Sequence, residues 1–124
     1  MTITLNGTTG IQNVLGSAAS PAESNTTNSN TGVYFPTSTS VGISTNGTLA
    51  MTVDASQNVG IGTNSPAATA IIDAQSTTKG VRFPNMTTAQ KTAITPSAGT
   101  VVFDTTLTKL CVYSGSAWQT ITSI

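Results

Sequence analysis

Apolar positions in this chain fall in short β-rich runs separated by turn residues, and the stretch from residue 32 to residue 66 organises the rest. Val41–Thr45 and Thr48–Val53 flank Asn46-Gly47, the strongest short-range hairpin signal that a sequence carries. A two-residue Asn-Gly loop places Val41 and Ile43 opposite Thr52 and Ala50. A three-residue loop, Thr45-Asn46-Gly47, sets Val41 against Met51 and Ile43 against Leu49. The second register gathers four apolar side chains on one face, and a one-residue slip would send them to water. The three-residue loop is therefore expected, with Gly47 left-handed. A hairpin face this narrow is no core by itself, so further strands are predicted, from this chain or from copies of it.

The other elements follow in order. Residues 1–11, with Ile3 and Leu5 before Asn6-Gly7 and Ile11 after it, predict a short strand or hairpin. Residues 15–31, LGSAASPAESNTTNSNT, have the composition of an extended arm, ordered against a neighbour, with room for no more than a trivial helix at 21–25. Gly32-Val-Tyr-Phe-Pro36 returns as Gly80-Val-Arg-Phe-Pro84, an extended segment entering a bend where proline cannot join a central ladder. Asp54 to Asn58 is a turn, residues 59–62 form a short strand, and 70–74 form another or a turn of helix. Thr87 and Gln90 have capping-box spacing, which predicts a helix over 88–94 closed by Thr95-Pro96. Runs at 100–103, Lys109–Tyr113 and 117–121 then predict a three-stranded meander. The fold class is all-β with one short helix, in three modules: an N-terminal strand and arm (1–31), a β-rich module (32–78), and a helix plus C-terminal β-meander cap (79–124).

Charge narrows the function. Only 6% of the 124 residues are charged and the net charge is zero, against about 25% charged in ordinary soluble domains. That excludes a basic nucleic-acid patch and a polybasic membrane surface. It fits a surface of Thr, Ser and Asn, much of it interface, because interface cores are depleted in charge. The eight charges are also partitioned, with −3 over residues 1–78 and +3 over 79–124. The opening residues have neither the basic nor the apolar region of a signal peptide, and no transmembrane run is present, so a product made and kept in a cytosol unless lysis releases it is expected.

Candidate chemistry is sparse. There is no histidine, and Glu23, Asp54, Asp73 and Asp104 are scattered with no pair at motif spacing. Cys111, the single cysteine, reads as a small buried residue. The run from Asp54 to Asn58 lacks the glycine and bidentate glutamate of a calcium loop, and Gly60-Ile-Gly62 lacks the third glycine of a dinucleotide fingerprint. No catalytic, cofactor-binding or metal-binding residue is therefore assigned. Thr-x-Thr pairs at irregular spacing read as solvated strand residues rather than an ice-binding array. Tyr34, Tyr113 and Trp118 have faces that sugar rings stack on, although a single Trp in a meander is more often core.

The order Phe35-Pro36, VGISTNGT, MTVD and NVGIGTNSP resembles a pattern of tail-fibre and related virion proteins of tailed bacteriophages. STTKGVRFPNMTTAQKTAI followed by SAGTVVFDTTLTKLCVYSGSAWQTI is similar to a recurrent C-terminal module of such fibres, so the resemblance covers residues 32–122, and the opening MTITLNGTTGI is fibre-like too. It implies an elongated, intertwined homotrimer without enzymatic activity. Fibres of this kind are usually longer, so a capsid decoration (cement) protein on the virion surface is the first expectation. A short tail or head fibre is the alternative, and an ice- or carbohydrate-binding module the remote one. The expected trimer interface is Val41, Ile43, Leu49, Met51, Val53, Val59 and Ile61, and the expected recognition residues are Tyr113 and Trp118. Expected partners are further copies of the chain, the major capsid protein or tail and baseplate proteins, and a host glycan or receptor.

Overall fold

The computed structural model describes residues 4–6, 10–12 and 14–122 and divides the chain into two compact units, Met1–Lys79 and Gly80–Ile124. The runs of Val, Ile and Thr form strands throughout, with one short helix among the described residues.

In the first unit, β1 (Thr4–Asn6) and β2 (Gly10–Gln12) pair antiparallel with Leu5 opposite Ile11. This is the expected N-terminal hairpin; Ile3 and Gly7 lie outside the described residues. Six further strands then form one sheet in sequence order: β3 (Glu23–Ser24), β4 (Gly32–Tyr34), β5 (Val41–Thr45), β6 (Thr48–Val53), β7 (Val59–Ile61) and β8 (Ile72–Ala74). All neighbours are antiparallel except β7 and β8, which run parallel. A two-residue hairpin cannot join parallel strands, and residues 62–71 make the connection.

The central hairpin corrects the expected loop. Thr45 pairs with Thr48 around a two-residue turn in which Asn46 (φ 51°) and Gly47 (φ 73°) are both left-handed. That is the type I′ geometry whose twist matches the flanking strands, so the turn takes two residues rather than three. The apolar face is recovered further along. Ser44 pairs with Leu49 but Ile43 pairs with Met51, which leaves Ala50 as the extra residue of a β-bulge. Val41 consequently faces Val53 rather than Met51, and Ile43 faces Met51 rather than Leu49. The hairpin tip is tied down by hydrogen bonds from the Gly47 amide to the Asn30 carbonyl (2.8 Å) and from the Asn46 amide to Thr31 Oγ1 (3.0 Å).

Residues 15–31 are also corrected: they fold onto their own unit instead of extending as an arm. Ser17 and Ser20 exchange backbone hydrogen bonds (2.9 and 3.1 Å), Gly16 bridges Pro21, and the Phe35 amide donates to the Leu15 carbonyl at 2.7 Å. Pro21 and Ala22 are buried, and Glu23–Ser24 form the outer strand where a brief helix had room. The Asn25 side chain accepts from the Thr27 amide at 2.7 Å, so a turn-forming side chain takes the donor that a helix would have used.

The second unit contains β9 (Asn85–Met86), α1 (Thr88–Ala93), β10 (Val101–Asp104), β11 (Lys109–Tyr113) and β12 (Trp118–Thr120). The predicted meander β10–β11–β12 is present, and β9 adds a fourth strand, parallel to β10 and connected to it through α1. Two residues are too few to show periodicity, which hid β9 from the sequence. The helix starts as predicted. Thr87 Oγ1 accepts from the Gln90 amide (3.3 Å), and Gln90 Oε1 accepts from the Thr87 amide (2.9 Å). It ends at Ala93, with Ile94 already extended (ψ 155°) before Thr95-Pro96.

Candidate assembly surface

Strand alternation gives the six-stranded sheet two faces, and they are filled the opposite way round from an ordinary domain. One row of directly paired residues is Tyr34, Gly42, Thr52, Gly60 and Asp73; the first four are buried. Ser44 lies on the same face and is fully buried. Gly42 is required there, because a Cβ at that position would stand 2.6 Å from the Tyr34 ring. Ser44 Oγ and Thr52 Oγ1 are buried with no hydrogen-bond partner, each costing about 1–3 kcal/mol in lost hydration. Burial also raises the Tyr34 pKa, since the phenolate is the form that desolvation penalises.

The other face carries the aliphatic side chains. One row runs Val33, Ile43, Met51, Ile61 and Ala74; its neighbour runs Val41, Val53, Val59 and Ile72. None of the nine is buried. Val41 is 41%, Ile61 47% and Ile72 63% exposed. Among the described residues 14–122 the buried apolar ones are Pro21, Ala22, Tyr34, Pro66, Val102 and Cys111, so no Ile or Leu is buried among them. Contiguous exposed apolar patches on this scale mark interaction surfaces.

Six of the seven expected interface residues, Val41, Ile43, Met51, Val53, Val59 and Ile61, come together on this face. Leu49 is placed apart, beyond the bulge and opposite Ser44. Val33, Ile72 and Ala74 belong to the rows but were not singled out from sequence. Val33 sits in the Gly32-to-Pro36 echo, and Ile72 and Ala74 flank Asp73 in period two; those were the available signals.

The second unit has a polar centre instead. Lys91 on α1 and Asp104 at the end of β10 form a buried ion pair, Nζ to Oδ2 at 2.8 Å. Thr88 Oγ1 donates to Oδ2 (2.8 Å), and the Thr106 and Leu107 amides donate to Oδ1 (2.9 and 3.0 Å). Burial alone would raise the Asp104 pKa, but Lys91 and these donors outweigh it and hold the carboxyl well below the usual range. Asp104 raises the Lys91 pKa against the opposing effect of burial, and buried Cys111, whose Sγ accepts from Nζ at 3.4 Å, adds to the rise. Trp118 lies over the ammonium, 5.6 Å from Nζ to the ring centroid, and meets Tyr113 edge-on at 5.4 Å. The two expected recognition residues thus pack on each other, and Trp118 also on Lys91. The Lys91–Asp104 pair left no trace in the sequence, where the partners are simply two charges far apart.

An open trough of about 550 Å³ runs along this unit, lined among others by Val81, Arg82, Phe83, Phe103 and Leu110. Among the described residues no group of His, Cys, Asp or Glu could hold a metal ion, and no helix is long and apolar enough to cross a membrane. Asp54 spends its carboxylate on its own turn, accepting from the Ser56 and Asn58 amides at 2.9 and 2.8 Å.

Comparison with known families gives one match. Residues 60–124, more than half of the chain, match the family described as phage tail like trimerisation region. No curated protein and no solved structure matches the chain.

Proposed function

Because the chain belongs to the family of phage tail like trimerisation regions, a structural rather than an enzymatic family, we propose that it is a non-enzymatic homotrimeric subunit on the surface of a phage particle. The observation that carries this reading is the inverted sheet. A face of nine aliphatic side chains lies open while hydroxyls and glycines are buried behind it. Three copies that set these faces around a common axis convert the open surface into a core, at about 25 cal/mol for each Å² removed from water. The trimer interface of this proposal is Val41, Ile43, Met51, Val53, Val59 and Ile61, extended by Val33, Ile72 and Ala74; Leu49, paired with Ser44 on the other face, falls outside it.

The family's description as a phage tail like region supports a place on the tail or in a short fibre. The capsid-decoration reading has the charge-poor composition in its favour. Immunogold labelling of purified particles separates them, with gold on tails or fibres expected. The prior test is native mass by light scattering across a range of concentrations. Three chains are expected, and a single-chain mass throughout would sink the proposal. Tyr113 and Trp118 are given no recognition role in it: they pack on each other, and Trp118 lies over Lys91.

A further inference from the structure

β8 is the last strand of the six-stranded sheet, and one of its edges is free. The Ile71 carbonyl and the Gln75 amide point to β7, as their bonds to Val59 and Ile61 show (both 2.9 Å). Strand alternation therefore turns the backbone groups of Ile72 and Ala74 outward, unpaired. An open edge beside exposed aliphatic side chains is a template for a further strand.

Residues 80–83 are a strand without a sheet. They lie outside every helix, turn and strand, are all exposed, and make no backbone hydrogen bond among the described residues. Yet Val81-Arg82-Phe83 has the period-two pattern of a half-buried strand, and Phe83, preceding Pro84, is steered away from helix. The two segments are complementary residue by residue. Ile72-Asp73-Ala74 and Val81-Arg82-Phe83 each place one charge, of opposite sign, between two apolar residues. Arg82 bonds only neutral Asn85, and Asp73 bonds only the Ala67 amide and the Gln75 side chain, so neither charge has an ionic partner among the described residues.

We propose that residues 80–83 of one protomer add as a strand to the free β8 edge of the next, with Arg82 opposite Asp73. This rests on the trimeric reading above. In either strand direction the register sets Val81 and Phe83 beside Ile72 and Ala74, which lengthens both aliphatic rows by one residue, and puts unlike charges together on the opposite face. The occupant is a second copy because both segments lie inside the matched trimerisation region, 60–124, and do not pair within one chain. The contact joins two different patches, so repeating it around a three-fold axis closes a ring. The −3 and +3 partition of charge favours such unlike contacts over like ones.

The test is a disulfide. In a Cys111→Ser background, Asp73→Cys with Arg82→Cys should, on mild oxidation, give a covalent trimer on a non-reducing gel that reductant returns to monomer. A preparation that is trimeric by light scattering but gives no link, or only an intrachain one, overturns the strand pairing and leaves the trimer standing. A wild-type chain that is monomeric overturns both. Charge exchange supplies a second readout. Asp73→Arg and Arg82→Asp should each weaken association by roughly tenfold or more, because like charges meet in three places, and the double exchange should restore it. A double variant as weak as either single one counts against the pairing.

Discussion

The two units handle polar groups in opposite ways. In the first, small and hydroxylated residues are inside, two hydroxyls have no partner, and the aliphatic rows are outside. In the second, the buried polar atoms are charged but mutually satisfied: Asp104 accepts from four donors, one each on Lys91, Thr88, Thr106 and Leu107, and Val102 and Cys111 are buried in the same unit. The second unit has thus assembled a centre of its own. The first leaves its aliphatic face open, and in the trimer proposed above neighbouring copies cover that face.

The largest predicted effect breaks that distinction at its weak side. Met51 stands in the middle of one aliphatic row, so Met51→Lys would bring three unpaired charges into the closed trimer. Loss of the three-chain species by light scattering is expected at every accessible concentration, with the β signature in circular dichroism retained. Continued trimerisation of Met51→Lys would show that the face is not the interface.

The second unit should respond to the opposite kind of change. Lys91→Ala leaves the Asp104 carboxylate buried without its cation and removes the cation from Trp118. A loss of roughly 3–5 kcal/mol is expected from breaking a buried pair. Trp118 is the only tryptophan, so its fluorescence during urea unfolding reports this unit. Stability within about 1 kcal/mol of the wild type would mean that the pair is dispensable. The pair also sets a pH window. A carboxyl held below its ordinary 3.8 stabilises the fold fully above that value and loses the contribution as pH falls toward its depressed folded value. An ammonium raised above 10.5 contributes fully below that value and loses it as pH rises through the raised one. The Trp118 transition should therefore be flat between about pH 5 and pH 9 and weaken on both sides, whereas Lys91→Ala should lose the alkaline limb.

What the sequence revealed divides along the same line. Local chemistry was legible: Asn46-Gly47 as a hairpin, Thr87 and Gln90 as a capping box, Asp54 as a turn, and the runs that became β10 to β12. The alternation of Val41, Ile43, Met51 and Val53 also located the candidate face, because period two depends on the strand alone. Features made by distant residues were not legible. Where the Ala50 bulge stands the sequence pointed to a longer loop, since both devices bring Val41, Ile43, Met51 and Val53 to one face, and only the paired strands, which turn Leu49 to the other, decide between them. The fold-back of residues 15–31 depends on bonds to Phe35 and on the burial of Pro21 and Ala22, which a Ser- and Asn-rich composition does not announce. Lys91 and Asp104 meet through the helix that joins β9 to β10, and β9 itself was too short to see.

The smallest predicted effect probes the hidden face of the open sheet, one residue along from Met51. Thr52 is 1% exposed and its hydroxyl has no partner, so the folded state loses the hydration that the unfolded state keeps. Thr52→Val removes that cost while keeping the branched shape that suits a strand, and a gain of about 1 kcal/mol is expected. Amide hydrogen exchange in β5, β6 and β7 should slow accordingly, with the oligomeric mass unchanged. Faster exchange would mean that the Thr52 hydroxyl has a partner in the assembled protein, which would make the hidden face, too, part of what a neighbouring copy completes.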